Sequence, residues 1–262
     1  MKQIKLFSVM LLLATLTLSF NACSSDDDDD SNNGANGKKI TKIVNEYGED
    51  NVRTEIFSYS NGKMSKYTAQ YDGGDTSDEF NQTITYGNNT VTLTGLLDSH
   101  ECVQTYTLNN SGLAISCTTV NKEDGEYREN YTFEYSDGYL IGISCSGSGY
   151  TETLTFTYSN GNITKAIERY DKESISYTFS YSENVNISRL INPLLDDDLL
   201  FVHKPAYYMG ILGKSTKNLA VSCTEKYSSN SYDYTCVYAL DNDNYVKTAT
   251  LSNGDKLTYT FE

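Results

Sequence analysis

The chain has 262 residues, 35 acidic and 20 basic side chains, and a formal net charge of −15. A protein this acidic is repelled by phosphate backbones, which excludes nucleic acid as a partner. Its 23 tyrosines, two prolines and absent tryptophan suit strands joined by tight turns, in a chain long enough for one sizeable core.

Lys2 and Lys5 precede an apolar run from Leu6 to Phe20, and Ala22 stands before Cys23. The run is shorter than the roughly 20 residues a membrane span needs, so residues 1–22 are expected to be a signal peptide. Cys23 occupies the position of a lipidated cysteine, with acyl chains on its sulfur and on its new N-terminus. Two or more acyl chains anchor stably. Residues 23–38 then form a flexible acidic tether that cannot bury apolar surface. Cys23-Ser24-Ser25 followed by Asp26 to Asp30 resembles the export signal of Bacteroidetes surface lipoproteins. That resemblance implies a lipid-anchored place in the outer membrane, facing the cell surface.

Residues 39–262 are periodic. Phe57-Ser-Tyr59-Ser-Asn-Gly62 is echoed by Phe133-Glu-Tyr135-Ser-Asp-Gly138, Phe156-Thr-Tyr158-Ser-Asn-Gly161 and Phe179-Ser-Tyr181-Ser-Glu-Asn184. Weaker copies fall at Ile84–Asn89, Tyr106–Gly112 and Tyr238–Asn244. Intervals of 20–50 residues signal a repeat architecture. Large residues at i and i+2 point to one face and Thr, Ser or Glu to the other, the alternation of a half-buried strand. Asn-Gly or Asp-Gly then supplies a turn that tolerates positive φ. The pattern predicts an all-β antiparallel meander of roughly 16 strands, curled so that its aromatic face packs inward. The sheet is expected to be one strongly bent, open or closed barrel, with two stacked sheets as the alternative. The repeat, the lipid signal and the restart at Gly213-Lys214-Ser215-Thr216-Lys217-Asn218-Leu219 together resemble a Bacteroidetes lipoprotein family of unknown function with a porin-like fold. The Tyr-rich repeats are also distantly similar to the Tyr-Asp repeats of Rhs-type shells. The final Leu257-Thr-Tyr259-Thr-Phe261 repeats the internal alternation, so it reads as a last half-repeat and not as the mark of a membrane-spanning barrel.

Residues 189–216 interrupt the repeat and hold both prolines. Asn192 before Pro193 predicts a helix start, opening Leu194 to Phe201 with Asp196, Asp197 and Asp198 in its first turns. Pro205 predicts a second helical turn over residues 206–212, stopped by Gly213. The plain expectation is a plug for one end of the curled sheet. The sharper one is a ligand-facing cap in which Tyr207, Tyr208 and His203 line a pocket, since repeat scaffolds carry function on insertions.

Cys117, Cys145 and Cys223 hold equivalent strand positions, too far apart to pair, and read as small buried residues. Cys223 and Cys236 could face each other across a hairpin turning near Ser229-Asn230. Catalytic chemistry is sparse. His100 and His203 belong to no zinc spacing, no G-x-S-x-G elbow is present, and Tyr208 stands where a phosphate loop needs its first glycine. The turns Asp72–Glu79 and Asp241–Asn244 read as solvated loops, not calcium loops. No cofactor is expected. The functional expectation is a non-enzymatic surface protein that binds a glycan or peptide. The alternative is a scaffold for other envelope proteins, and a hydrolase comes last.

Overall fold

The computed structural model describes residues 37–48, 51–72, 80–122, 128–147, 150–171, 173–195 and 197–262. The signal segment, Cys23, most of the tether and most of the Asp72–Glu79 turn lie outside them. Sixteen antiparallel strands run in chain order: β1 (Ile40–Tyr47), β2 (Asn51–Ser60), β3 (Lys63–Asp72), β4 (Phe80–Tyr86), β5 (Thr90–Leu97), β6 (His100–Leu108), β7 (Ala114–Asn121) and β8 (Arg128–Ser136). They continue as β9 (Tyr139–Ser146), β10 (Thr151–Ser159), β11 (Asn162–Tyr170), β12 (Glu173–Val185), β13 (Asn218–Tyr227), β14 (Asn230–Leu240), β15 (Val246–Leu251) and β16 (Lys256–Phe261). Each pairs with its sequence neighbours, and β1 pairs with β16 through Ile43 opposite Tyr259, so the meander is a closed barrel. Stacked sheets are excluded.

The turns follow the sequence signal. Asn61-Gly62, Asp137-Gly138 and Asn160-Gly161 all have positive φ at both positions, the type I′ geometry that matches strand twist. Phe57, Phe133, Phe156 and Phe179 point into the barrel and are buried. The outer wall is hydroxyl-rich: Thr83 faces Thr94, Thr92 faces Thr105, Thr105 faces Thr118, and Thr178 faces Thr224. A lipid-facing wall needs a continuous apolar band, and the described strands carry none. The lumen, by contrast, is filled with apolar side chains.

Closure uses a regular irregularity. On β3, β7, β9, β11, β13 and β15 one extra residue falls shortly after the turn, for example Ser65, Ile115 and Val221. Such bulges bend a strand and disturb its ladder. The carbonyl just before the extra residue then takes a phenol from the neighbouring repeat. Tyr86 donates to Met64 O at 2.8 Å, Tyr135 to Ala114 O at 2.8 Å and Tyr238 to Ala220 O at 2.8 Å. Tyr59 does the same for Ile40 O at 3.0 Å. At Tyr59, Tyr86 and Tyr135 this bond is what tyrosine adds over phenylalanine at the second large position of the repeat.

The segment between β12 and β13 folds into the lumen. It carries two short helices, α1 (Asp198–Phe201) and α2 (Lys204–Tyr208). Helix α1 starts later than Asn192 predicts. Asn192 caps only a turn, accepting from Leu194 N at 3.0 Å, whereas Asp197 caps the helix, accepting from Leu200 N at 3.2 Å. Helix α2 ends at Tyr208 and not near Gly213, because Gly210 with φ 80° breaks it first. Leu190, Leu194, Leu195, Leu199, Ala206 and Leu212 are buried against the wall. Each fully buried leucine contributes roughly 1.5–3 kcal/mol, so the plug and the wall form one core. The rim of the plug is sewn to the hairpins: Ile211 O accepts from Ala114 N at 2.8 Å, Gly138 O from Lys214 N at 2.9 Å, and Gly161 O from Lys217 N at 2.9 Å. Gly213 is required there, since at φ 89° a Cβ would stand 2.5 Å from Gly138 O.

All five described cysteines are buried, and none is bridged to another of them. The Cys223–Cys236 bridge does not form because β13 and β14 turn one residue earlier, placing Tyr234 opposite Cys223. The Asp241–Asn244 loop is solvated as expected, with Lys38 Nζ bridging to Asp243 at 2.5 Å.

Substituting Tyr135→Phe leaves a buried carbonyl without its donor. The expected loss is about 1–3 kcal/mol, read as a lower denaturant midpoint at unchanged slope.

Candidate functional site

The two rims of the barrel differ. Both chain ends meet at one of them, where Lys39 N donates to Glu262 O at 2.6 Å and Glu262 N to Lys39 O at 2.9 Å. The plug enters and leaves through this same rim. The opposite rim, formed by turns such as Leu97–His100 and Tyr227–Asn230, opens on a lumen lined by polar residues at the inward positions nearest those turns.

On one side of this lumen lies a closed ion cluster. Arg53 and Glu55 of β2 are fully buried, with Arg53 Nη1 2.6 Å from Glu55 Oε1. Lys204 of α2 reaches the same Oε1 at 2.8 Å, and Tyr67 donates to Oε2 at 2.9 Å. The guanidinium also lies 4.4 Å from the centroid of Phe201. Burial pushes the Glu55 carboxyl up, but Lys204 and Arg53 outweigh it and hold the group below its ordinary value. The cluster locks the tip of the plug to the wall.

The other side is an arc of carboxyl groups, in which no described lysine or arginine of the surrounding strands points inward. Glu129 of β8, Glu152 of β10, Glu168 of β11 and Glu225 of β13 all take the inward parity of the aromatic residues on their strands. The register makes them neighbours. Glu152 faces Tyr170, two pairs away from Leu154 opposite Glu168, and Tyr177 of β12 faces Glu225. Tyrosines line the arc. Tyr131 and Tyr150 donate to Glu129, and Tyr177 donates to Glu168 at 3.2 Å. Tyr170 and Tyr232 stand exposed at the rim.

The floor of the arc is the start of α1. Asp198 is exposed although it belongs to the inserted plug, so solvent reaches this part of the lumen. Asp197 is 6% exposed; its Oδ1 caps Leu200 N, and its Oδ2 has no hydrogen-bond partner. Burial, then the Glu168 and Glu152 charges, push the Asp197 carboxyl up to about 8. Burial, then the charges of Glu168, Asp198 and Glu129, push Glu152 up to about 7. The arginines and lysines of β8 to β13, namely Arg128, Lys165, Arg169 and Lys226, are exposed on the outer parity. Among the described residues no group of three or more His, Cys, Asp or Glu side chains is placed to hold a metal ion.

The three residues singled out on the insertion lie deeper, at the contact of plug and wall. His203 is fully buried, hydrogen-bonded through Nδ1 to Tyr106 Oη at 2.7 Å and packed edge-on against Tyr131 with centroids 4.4 Å apart. Burial lowers it to about 3, so it is neutral at pH 7. Tyr207 donates to Leu190 O at 3.2 Å and borders a void of about 30 Å³, room for about one water. Tyr208 packs edge-on against Phe57 at 5.1 Å. The structure brings these residues to one interface, but the solvent-reached groups are the carboxylates. The missed signal was a Glu on the aromatic parity of several strands, as in Glu129-x-Tyr131-x-Phe133 and Glu152-x-Leu154-x-Phe156.

Two expectations follow from these charges. Glu55→Ala leaves Arg53 buried and uncompensated, at a cost of about 3–5 kcal/mol, measured by chemical denaturation. Glu152 and Asp197 titrate above their unfolded values, so the stability tied to their protonated forms is lost as pH rises from about 4 through about 8. The melting temperature is therefore expected to be higher near about pH 5.5 than near about pH 8.5, where Glu55 is ionised at both. Asp197→Asn should flatten that difference.

Comparison with known proteins places this geometry. No curated protein matches the chain. Solved structures with the same fold include a porin-like protein from Bacteroides uniformis ATCC 8492, with 24% identity and a TM-score of 0.69 over 85% of this chain and 98% of that one. Another is a porin-like protein from Bacteroides vulgatus ATCC 8482, with 13% identity and a TM-score of 0.63 over 86% of this chain and 99% of that one. Residues 57–236 match the model of a domain of unknown function with porin-like fold, DUF4595, and the chain belongs to that family.

Proposed function

We propose that this protein is a non-enzymatic binding protein of the outer envelope, anchored through Cys23, that captures a ligand at its open rim. The observation that carries the reading is the opposition of the two rims. The tether runs into β1 at the plugged rim, beside Glu262, so an anchored barrel presents its carboxylate and tyrosine rim away from the membrane. The hydroxyl-rich outer wall and the filled lumen support a tethered soluble barrel over a pore. A peptide fits better than a glycan, because the rim offers carboxylates and phenols and the chain has no tryptophan.

Affinity-gel retardation against panels of peptides and polysaccharides tests the reading, with a Tyr170→Ala/Tyr232→Ala variant alongside. Retardation by one class, lost in the variant, is the expected result. Retardation by none would replace capture with the envelope-scaffold reading.

A further inference from the structure

We infer that the group recognised at the open rim is an organic cation, an ammonium or guanidinium carried on an extended chain, held between Glu152, Glu168 and Asp197. This rests on the capture reading above and names the chemistry of its ligand.

Several observations converge on it. Glu152 and Glu168 lie diagonally on adjacent strands of one face, a separation of about 7–8 Å between backbones, and the plug brings Asp197 and Asp198 up beneath them. No inward lysine or arginine of β8 to β13 neutralises them among the described residues. The lumen has cations to offer elsewhere, but Arg53 and Lys204 are committed to Glu55. Asp197 Oδ2 is a second, separate indication. A carboxyl oxygen in a side chain more than nine-tenths buried, with no hydrogen-bond partner among the described residues, costs free energy that a donor arriving from outside would recover.

The chemistry of the wall narrows the ligand further. The carboxylates are not gathered closely enough for a metal ion, which demands ligands at about 2.0–2.6 Å. An alkylammonium or guanidinium has several donors spread over a larger radius and can meet carboxylates that a single ion cannot bridge. Tyr150, Tyr170 and Tyr177 supply aromatic faces and phenols around the same arc, the surroundings that favour organic cations by cation–π attraction. Carboxylates on successive strands favour more than one positive group along the ligand. A linear polyamine and a lysine-rich peptide share that chemistry.

Isothermal titration of the full chain with spermidine, with a lysine-rich peptide, with a neutral oligosaccharide and with calcium decides the matter. Saturable binding of spermidine or of the peptide is expected, weakened at least about tenfold, or 1.4 kcal/mol, by Glu152→Gln/Glu168→Gln. The binding should also weaken as pH falls below about 7, where Glu152 takes up its proton. A control pair on the outer surface, Glu134→Gln/Glu183→Gln, removes the same charge and should leave binding unchanged. The better of the two cations identifies the source of the group. Equal weakening by both pairs would reduce the effect to net charge and overturn the inference, as would calcium binding in place of the amines. Binding of the oligosaccharide alone would overturn the cationic ligand and leave the capture reading standing. Binding of none of the four would overturn the inference, and the broader retardation panel would then judge capture separately.

Discussion

A closed barrel of sixteen strands is too wide for its own wall to fill. At this strand number the interior of a barrel is ordinarily an aqueous channel, and a wall bearing phenylalanine on its inner face cannot face water without losing the burial that holds it together. The insertion resolves the conflict. It supplies leucines to meet the aromatic layer, and its backbone closes onto the hairpins at Ala114, Gly138 and Gly161. Everything else in the lumen, including which polar groups stay dry and which meet solvent, follows from how far the plug reaches.

That reach divides the lumen electrostatically. At its tip the plug offers Lys204 to Glu55 and so completes a buried cluster on the β2 and β3 side. A few residues earlier it offers Asp197 and Asp198 to the opposite side, which already carries glutamates. The first contact fastens the plug, whereas the second adds like charge where there is excess. A fold shaped for stability alone would place apolar residues where the inward glutamates stand. The carboxyl groups gathered on that side raise one another's proton affinity, as Glu152 and Asp197 show.

Much of the fold was legible in the sequence, and the limits have physical causes. The repeat, its alternation and its Asn-Gly turns are local signals, and they set strand number, parity and turn type. Closure is not local, because it depends on accumulated twist and on bulges whose only trace is a tyrosine at the second repeat position. The helix start was misread because Asn192-Pro193 and Asp197 are both good caps. Tertiary packing chose the later one, where Leu199 and Leu200 reach the wall. The cysteine register failed through a one-residue error in turn placement, which moves the partner by two. The carboxylate arc was written in the parity of Glu129, Glu152, Glu168 and Glu225, but each is the single inward glutamate of its strand. Only ring closure brings them together.

The pairing of β1 with β16 has a further consequence, for the order in which the molecule can form. Every other strand pair joins sequence neighbours, so hairpins can assemble as soon as they emerge. Among the strand pairs the seam alone joins residues more than two hundred positions apart, as with Ile43 and Tyr259. Until the last strand is present, the growing sheet carries an open edge on β1 and another at its advancing end, and such edges invite pairing between molecules. In the sequence Asp26 to Asp30 precede β1, and like charge of this kind opposes association between unfinished chains. A feature that reads as an address would then also act as a guard against aggregation while the ring is unfinished.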